Sequence, residues 1–246
     1  MNPSEKKVAI VTGSSRGIGA KIAERLARMG HIVIVNYAGN AESAQQVVAK
    51  IEAEGGTAMA AQADISNAES VALLFDKTEA AFGGVDILVN NAGIMKLASI
   101  ANSKDDLIDS LLAVNLKGSI NTMREAAVRL RDGGRIVNFS SSVVGLYQPT
   151  YGVYAATKAG IEALTHILSK ELRGRNITVN AVSPGPTATD LFLDGKSPEL
   201  IQQLAKLAPL ERLGEPGDIA NLVAFLVGPE GSWINGQIIK ANGGII

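Results

Sequence analysis

Tyr154 and Lys158 stand four residues apart in Tyr154-Ala155-Ala156-Thr157-Lys158, which opens a helical pattern running to about Arg173. On a helix that spacing puts both side chains on one face. A free phenol titrates near ~10, too high for good acid–base work at neutrality. An ammonium group one turn away favours the phenolate and is expected to bring that value down. Tyr154 could then exchange a proton with a carbonyl or alcohol oxygen. The run Ser140-Ser141-Ser142, at the end of an apolar strand pattern over 135–139, offers a hydroxyl to polarise the same oxygen. Alone, the Tyr/Lys pair reads equally well as an exposed helix face. The serines give it chemical meaning.

A second group of residues could hold a phosphorylated ligand. Gly13-Ser14-Ser15-Arg16-Gly17-Ile18-Gly19 lies between the first strand pattern and the first helix pattern. Glycines there let the backbone approach a pyrophosphate, whose charge meets the N–H groups and positive dipole end of the helix. Gly13, Ser15, Arg16, Gly17, Ile18 and Gly19 are the candidate contacts, although the spacing is not the general G-x-G-x-x-G. An NAD site usually places an acid about 20 residues past the glycines, on the ribose 2′-hydroxyl. The second strand instead ends Val35-Asn36-Tyr37-Ala38, and the next acid is Glu42. Without that carboxylate a 2′-phosphate is not repelled, and the Arg16 guanidinium can bind it. Asn36, Tyr37 and Ala38 are therefore read as the adenosine wall, and NADP(H) is favoured over NAD(H). Asp64, followed by Ile65, could accept a bond from the adenine amino group. Asn91, Ala92 and Gly93 supply small residues on which a cofactor can lie. A cationic nicotinamide beside Tyr154 would lower its pKa further, while the carbonyl carbon and cofactor exchange hydride.

These residues must be positioned by regular elements. Apolar strand patterns at 7–12, 32–35, 57–62, 85–89, 135–139, 176–182 and 237–240 alternate with amphipathic stretches. Such alternation predicts a parallel sheet covered on both faces, with right-handed crossovers. The expected fold is a doubly wound α/β sheet of about seven strands, a Rossmann fold in a single domain over 1–246. The Pro/Gly-punctuated stretch at about 186–213 is expected to cover the substrate, with a lid helix from Pro198 to Leu207.

Composition narrows the classes. A chain of 246 residues, 46% hydrophobic and 19% charged, buries a core and is not a disordered chain. The 23 basic residues against 24 acids leave net charge −1, so no global field draws it to nucleic acid or an anionic membrane. With no cysteine it has neither disulfides nor a thiolate metal site, which suits a reducing, cytoplasmic setting. No metal is expected, and no leader or membrane span is read at the N-terminus or within the chain.

Five motifs in order resemble the short-chain dehydrogenase/reductase family over nearly the whole chain. Thr12 to Gly19 is similar to its T-G-x-x-x-G-x-G turn, Asn90-Asn91-Ala92-Gly93 to its N-N-A-G, and Tyr154/Lys158 to its Y-x-x-x-K. Asn115 and the segment Pro184-Gly185 with Thr187 and Thr189 match two further landmarks. The resemblance implies an NADP(H)-dependent reductase of carbonyls, or oxidase of alcohols, commonly a homotetramer. It implies that Asn115 supports a proton-relay water and that Lys158 also binds the nicotinamide ribose. It places the nicotinamide carboxamide on Pro184, Gly185, Thr187 and Thr189. Ser141 lies 13 residues before Tyr154 and six after Arg135, which makes it the expected catalytic serine. Ser142, directly before Val143-Val144-Gly145, is the other possibility in register. Asn242 stands where many relatives carry aspartate and is expected to be structural.

Leu191-Phe192-Leu193 suggests a substrate apolar next to its carbonyl, although these residues could equally dock the lid. Tyr147 and Tyr151 could line the same pocket or simply pack. Arg129, Arg131, Arg173 and Arg175 could form basic patches for a carrier protein, which keeps 3-oxoacyl-[acyl-carrier-protein] reduction as the alternative. The nearly all-round apolar helix after Tyr154 needs a second subunit beyond the sheet. Trp233 is expected in a core or an interface. Two rival classes remain. Gly13 to Gly17 also fits G-x-S-x-G, a hydrolase with Ser15 as nucleophile, but only His31 and His166 could serve it. A catalytically silent dinucleotide sensor would not need the Tyr154/Lys158 pair.

Overall fold

The computed structural model describes residues 6–246. Met1 to Glu5, on which the leader reading partly rests, lie outside the described residues. The elements alternate in chain order: β1 (Val8–Val11), α1 (Gly17–Arg28), β2 (Ile32–Tyr37), α2 (Ala41–Ala53), β3 (Thr57–Gln62), α3 (Ala68–Phe82) and β4 (Val85–Asn90). There follow α4 (Asp105–Leu111), α5 (Gly118–Arg129), β5 (Leu130–Phe139), α6 (Val143–Leu146), α7 (Gly152–Glu171), β6 (Thr178–Pro184), α8 (Asp190–Leu193), α9 (Pro198–Ala205), α10 (Pro216–Val227) and β7 (Ile238–Ala241). The strands form one seven-stranded sheet in the order β3-β2-β1-β4-β5-β6-β7, and every pairing is parallel.

The apolar runs are continuous because both sheet faces are covered. Along β1, Ala9 and Val11 pack into a cluster with α1, α2 and α10, while Val8 and Ile10 pack into a second with α3, α5 and α7. Helix starts follow local chemistry. Asn40 and Asn67 accept the Ser43 and Ser70 N–H groups as N-caps of α2 and α3, and Glu215 with Asp218 closes a capping box at α10.

Several strand boundaries differ from the sequence reading by one or two residues, and that of β5 by more. β5 begins at Leu130 rather than 135, and its pairing with β4 shifts register between Val85 and Ile87, opposite Gly133-Gly134. β6 begins at Thr178 because Asn176 takes a left-handed conformation, φ 54°, which ends the preceding turn. Trp233 is 97% exposed, so it is no part of this protomer's core.

A chain of buried polar groups fixes the sheet to its helices. Thr122 Oγ1 donates to Asn90 Oδ1 (2.6 Å), Asn90 Nδ2 to Asn138 Oδ1 (2.8 Å), and Asn138 Nδ2 to Thr165 Oγ1 (2.9 Å). It runs from α5 through β4 and β5 to α7, just below the strand ends that carry the candidate catalytic residues. Asn138→Ala strands Asn90 Nδ2 without an acceptor, at a cost of about 2 kcal/mol. Urea unfolding should show that loss; a change below about 0.5 kcal/mol would mean the network contributes no net stability.

Candidate active site

β1 and β4 are neighbours whose connections leave on opposite faces, which opens a crevice at their C-terminal ends. A cleft of about 810 Å³ occupies that edge. The turn after β1 is held from both sides. Asn36 Oδ1 accepts the Gly13 N–H (3.2 Å), and its Nδ2 donates to the Ala61 and Ala63 carbonyls. Asn91 Nδ2 donates to the Thr12 and Gly13 carbonyls, and the Ala92 N–H donates to Thr12 Oγ1 (3.0 Å). Glycine is needed at two points of close approach. Gly13 has φ 60°, and a Cβ there would meet Ala92 Cα at 2.8 Å; one on Gly19 would meet Asn91 Nδ2 at 2.5 Å.

Helix α1 starts without a side-chain cap at Arg16 and with no acid in its first turn. Its first N–H groups therefore keep their donor capacity and the helix dipole is not offset by an acid, which is the electrostatics of an anion site. Arg16 is exposed at the cleft and belongs to none of the ion pairs among the described residues. Ser15, Gly17, Ile18, Asn36, Tyr37, Ala38, Asp64 and Ile65 also line the cleft. Asn36 reaches this wall with its amide already spent on the turn. Asp64 Oδ1 accepts from the Ser66 N–H and Oγ, which orients the carboxylate.

The other half of the cleft brings Ser141, Tyr154 and Lys158 together with Asn91, Ala92, Gly93, Pro184, Gly185, Thr187 and Thr189. Ser141, not Ser142, is the serine whose hydroxyl acts on Tyr154, pulling its pKa down. Ser142 is buried, donating to the Ser183 carbonyl (3.3 Å) and accepting from Asn242 Nδ2 (3.0 Å). Lys158 is buried, and its Nζ donates to the Phe139 carbonyl (2.9 Å) while lying 5.8 Å from the centre of the Tyr154 ring. Asn115 does not line the cleft. It sits in a π-helical turn, 112–117, joining α4 to α5, and its side chain bonds both the N–H and carbonyl of Ile94 and reaches Thr157 Oγ1 at 3.4 Å. Such a wide turn re-aims a side chain that a regular helix would carry elsewhere. Thr187 and Thr189 turn their hydroxyls to local carbonyls, and Thr189 also caps α8.

Titration differs from the sequence expectation in sign. Burial pushes the Tyr154 phenol up to about 12, against a smaller downward pull from its Ser141 hydrogen bond. Burial also pushes Lys158 down to about 8. Desolvation of both groups outweighs their mutual attraction, because the ammonium is turned to a carbonyl rather than to the phenol oxygen. The protein's own groups therefore hold Tyr154 as a proton donor.

Sequence reasoning missed the walls of the substrate half. Ile94, Met95, Val143, Leu146, Gln148 and Ile245 line it with Tyr151, Leu191, Phe192, Leu204 and Leu207. Leu191 and Phe192 carried a signal in their apolar run, but Ile245 had none. Tyr147 does not line the cleft; it is 87% exposed. Neither His31 nor His166 lines it, so Ser15 has no imidazole to activate it. No cluster of metal-ligating side chains occurs among the described residues.

Residues 13–246 match the family model described as enoyl-(acyl carrier protein) reductase. A short-chain type dehydrogenase/reductase of Picea abies is 45% identical, covering 97% of this chain and 92% of its own. An NADPH-dependent aldehyde reductase-like protein of Arabidopsis thaliana, named as chloroplastic, is 44% identical over 99% and 96%. The crystal structure of a short-chain dehydrogenase from Burkholderia cenocepacia in complex with NADP superposes with TM-score 0.92 at 43% identity, covering 99% of both chains. Matched nearly end to end at such identity, with the glycine turn, the N-N-A-G segment and the Tyr154/Lys158 pair gathered at one sheet edge, the chain belongs to the short-chain dehydrogenase/reductase family.

Proposed function

We propose that this protein is an NADP(H)-dependent carbonyl reductase acting on aldehydes or ketones that are apolar next to the carbonyl. The carrying observation is the pairing of Tyr154 and Ser141 at one end of a cleft whose other end is an uncapped helix N-terminus. Hydride for the carbonyl carbon would come from NADPH held in this cleft. Two hydroxyls from the chain serve the single oxygen: Ser141 orients it, and Tyr154 gives it a proton. Burial keeps the Tyr154 proton in place at neutral pH, which is the starting state for reduction. Lys158, anchored on the Phe139 carbonyl, binds the nicotinamide ribose and stabilises the phenolate left after proton transfer. Asn115 supports the refilling of that proton by holding Ile94 and Thr157 around the lysine.

For the cofactor, Gly13, Ser15, Gly17, Ile18 and Gly19 would take the pyrophosphate, and Arg16 would take the 2′-phosphate. Asn36, Tyr37, Ala38, Asp64 and Ile65 would form the adenosine side. Asn91, Ala92 and Gly93 would form the floor, and Pro184, Gly185, Thr187 and Thr189 would hold the carboxamide. The chain works as a single domain, with the stretch 186–213 as the cover over the substrate. Three of the four arginines raised for a carrier protein are neutralised: Arg129 by Asp76, Glu79 and Glu125, Arg131 by Asp86, and Arg175 by Asp132. That favours a free carbonyl compound over a carrier-bound 3-oxoacyl thioester.

A homo-oligomer fits the exposed apolar side chains of Leu112, Ile120, Val128 and Ile167. Among the described residues no helix is long and apolar enough to cross a membrane. The absence of cysteine suits a reducing compartment such as the cytoplasm.

Tyr154→Phe should lower NADPH-dependent reduction of an apolar aldehyde by roughly 10²–10⁴-fold while NADPH still binds. Activity within a few-fold of wild type would refute the mechanism. The same variant is the blank for a tyrosinate titration by ultraviolet absorbance. Tyr154 should remain un-ionised at the ordinary phenol value of 10. A wild-type-minus-variant signal appearing near pH ~8 would show that the ammonium, not burial, controls the phenol.

A further inference from the structure

The segment after β7 has no part in the sequence-derived site, yet it is packed into it. Asn242 is fixed at both ends of its amide. Oδ1 accepts the Gly244 N–H (3.0 Å), so Nδ2 faces Ser142 Oγ, to which it donates at 3.0 Å. Ser142 is thereby left free to donate to the Ser183 carbonyl. An aspartate at 242 could only accept from Ser142, and would compete with that second bond. The asparagine thus ties the post-β7 segment to the residue beside Ser141.

Two further contacts fix the same segment. Ile246 lies against Gly145 of α6, where a Cβ would meet Ile246 Cδ1 at 2.6 Å. The Gly243 carbonyl accepts the Leu210 N–H (3.3 Å), and Gly243 lies close to Ala208, at the base of the cover. Residues 242–246 therefore bridge the serine loop and the cover, and Ile245 is the member that faces the cleft. Around it the cleft is lined by apolar side chains, Val143, Leu146, Leu204 and Leu207 among them.

From this we infer that Ile245 is a specificity-determining residue, setting the size of the apolar group accepted beside the carbonyl. Asn242 and the Ile246–Gly145 contact hold it in place. The inference rests on the carbonyl-reductase reading. An apolar wall discriminates by volume, because each methylene that fits or clashes changes transition-state binding by about tenfold or more.

The test measures kcat/KM for a small and a bulky apolar aldehyde, propanal and 2-naphthaldehyde, with NADPH. Ile245→Ala should raise the ratio of bulky to small substrate by about tenfold, and Ile245→Phe should lower it by a similar factor. NADPH affinity, followed by fluorescence, should stay within about twofold in both, which also reports that each variant is folded. Asn242→Asp, which loosens the anchor, should flatten the size preference. An active wild type whose ratio is unchanged in both Ile245 variants overturns the inference alone. A wild type that binds NADPH but reduces neither aldehyde overturns the carbonyl-reductase reading and the inference with it.

Discussion

Two side-chain amides, Asn36 from β2 and Asn91 directly after β4, pin the turn after β1 between them. Their bonds use the Gly13 N–H and the Thr12 and Gly13 carbonyls, so these backbone groups are paired internally. What is left facing the cleft is the uncapped first turn of α1. A loop with free backbone would have to be ordered by its ligand, at an entropic cost. Here the fold itself orders the donors. The arrangement needs two glycines that cannot bear a Cβ, and it needs β1 beside β4, so that an amide directly after β4 can reach back over the turn. The cofactor half of the site is a consequence of strand order.

The catalytic half depends on a different balance. Lys158 is buried at the foot of α7, and the Phe139 carbonyl is its hydrogen-bond acceptor. Burial opposes its charge and also opposes ionisation of Tyr154, so each group is held toward its neutral form. This is a proton donor beside a cation that is costly to desolvate. It suits delivery of a proton to an oxygen on which negative charge develops, because that charge appears inside the same low-dielectric pocket. The reverse reaction would need a phenolate there, which burial by itself opposes.

Much of this was legible in the sequence, for physical reasons. Parallel strands covered on both faces are mostly apolar, so the runs at β1, β2 and β4 stand out, and glycine is demanded at the turn after β1, where a Cβ on Gly13 would meet the Ala92 backbone. The i, i+4 spacing of Tyr154 and Lys158 survives folding because α7 is regular. What the sequence hid arises from long-range geometry. The lysine's acceptor is a main-chain carbonyl, invisible in residue types. The π turn at 112–117 places Asn115 against Ile94 rather than in the cleft. The phenol's pKa depends on how deeply it is buried, which spacing does not encode, and there the expected sign was reversed. Ile245 follows a glycine turn with no periodic signal, and long-range contacts such as that of Ile246 with Gly145 bring its segment to the cleft.

We propose that the pinned turn and Arg16 form a site for a dinucleotide carrying a 2′-phosphate. Fluorescence titration of the wild-type protein with NADPH and, separately, NADH tests it most directly, because the two ligands differ only in that phosphate. NADPH should bind tighter than NADH by about tenfold or more, as one charge-assisted contact would give, and the gap should narrow as salt is added. NADH binding as tightly as NADPH, or more tightly, would contradict the role given to Arg16 and to the missing acid after β2.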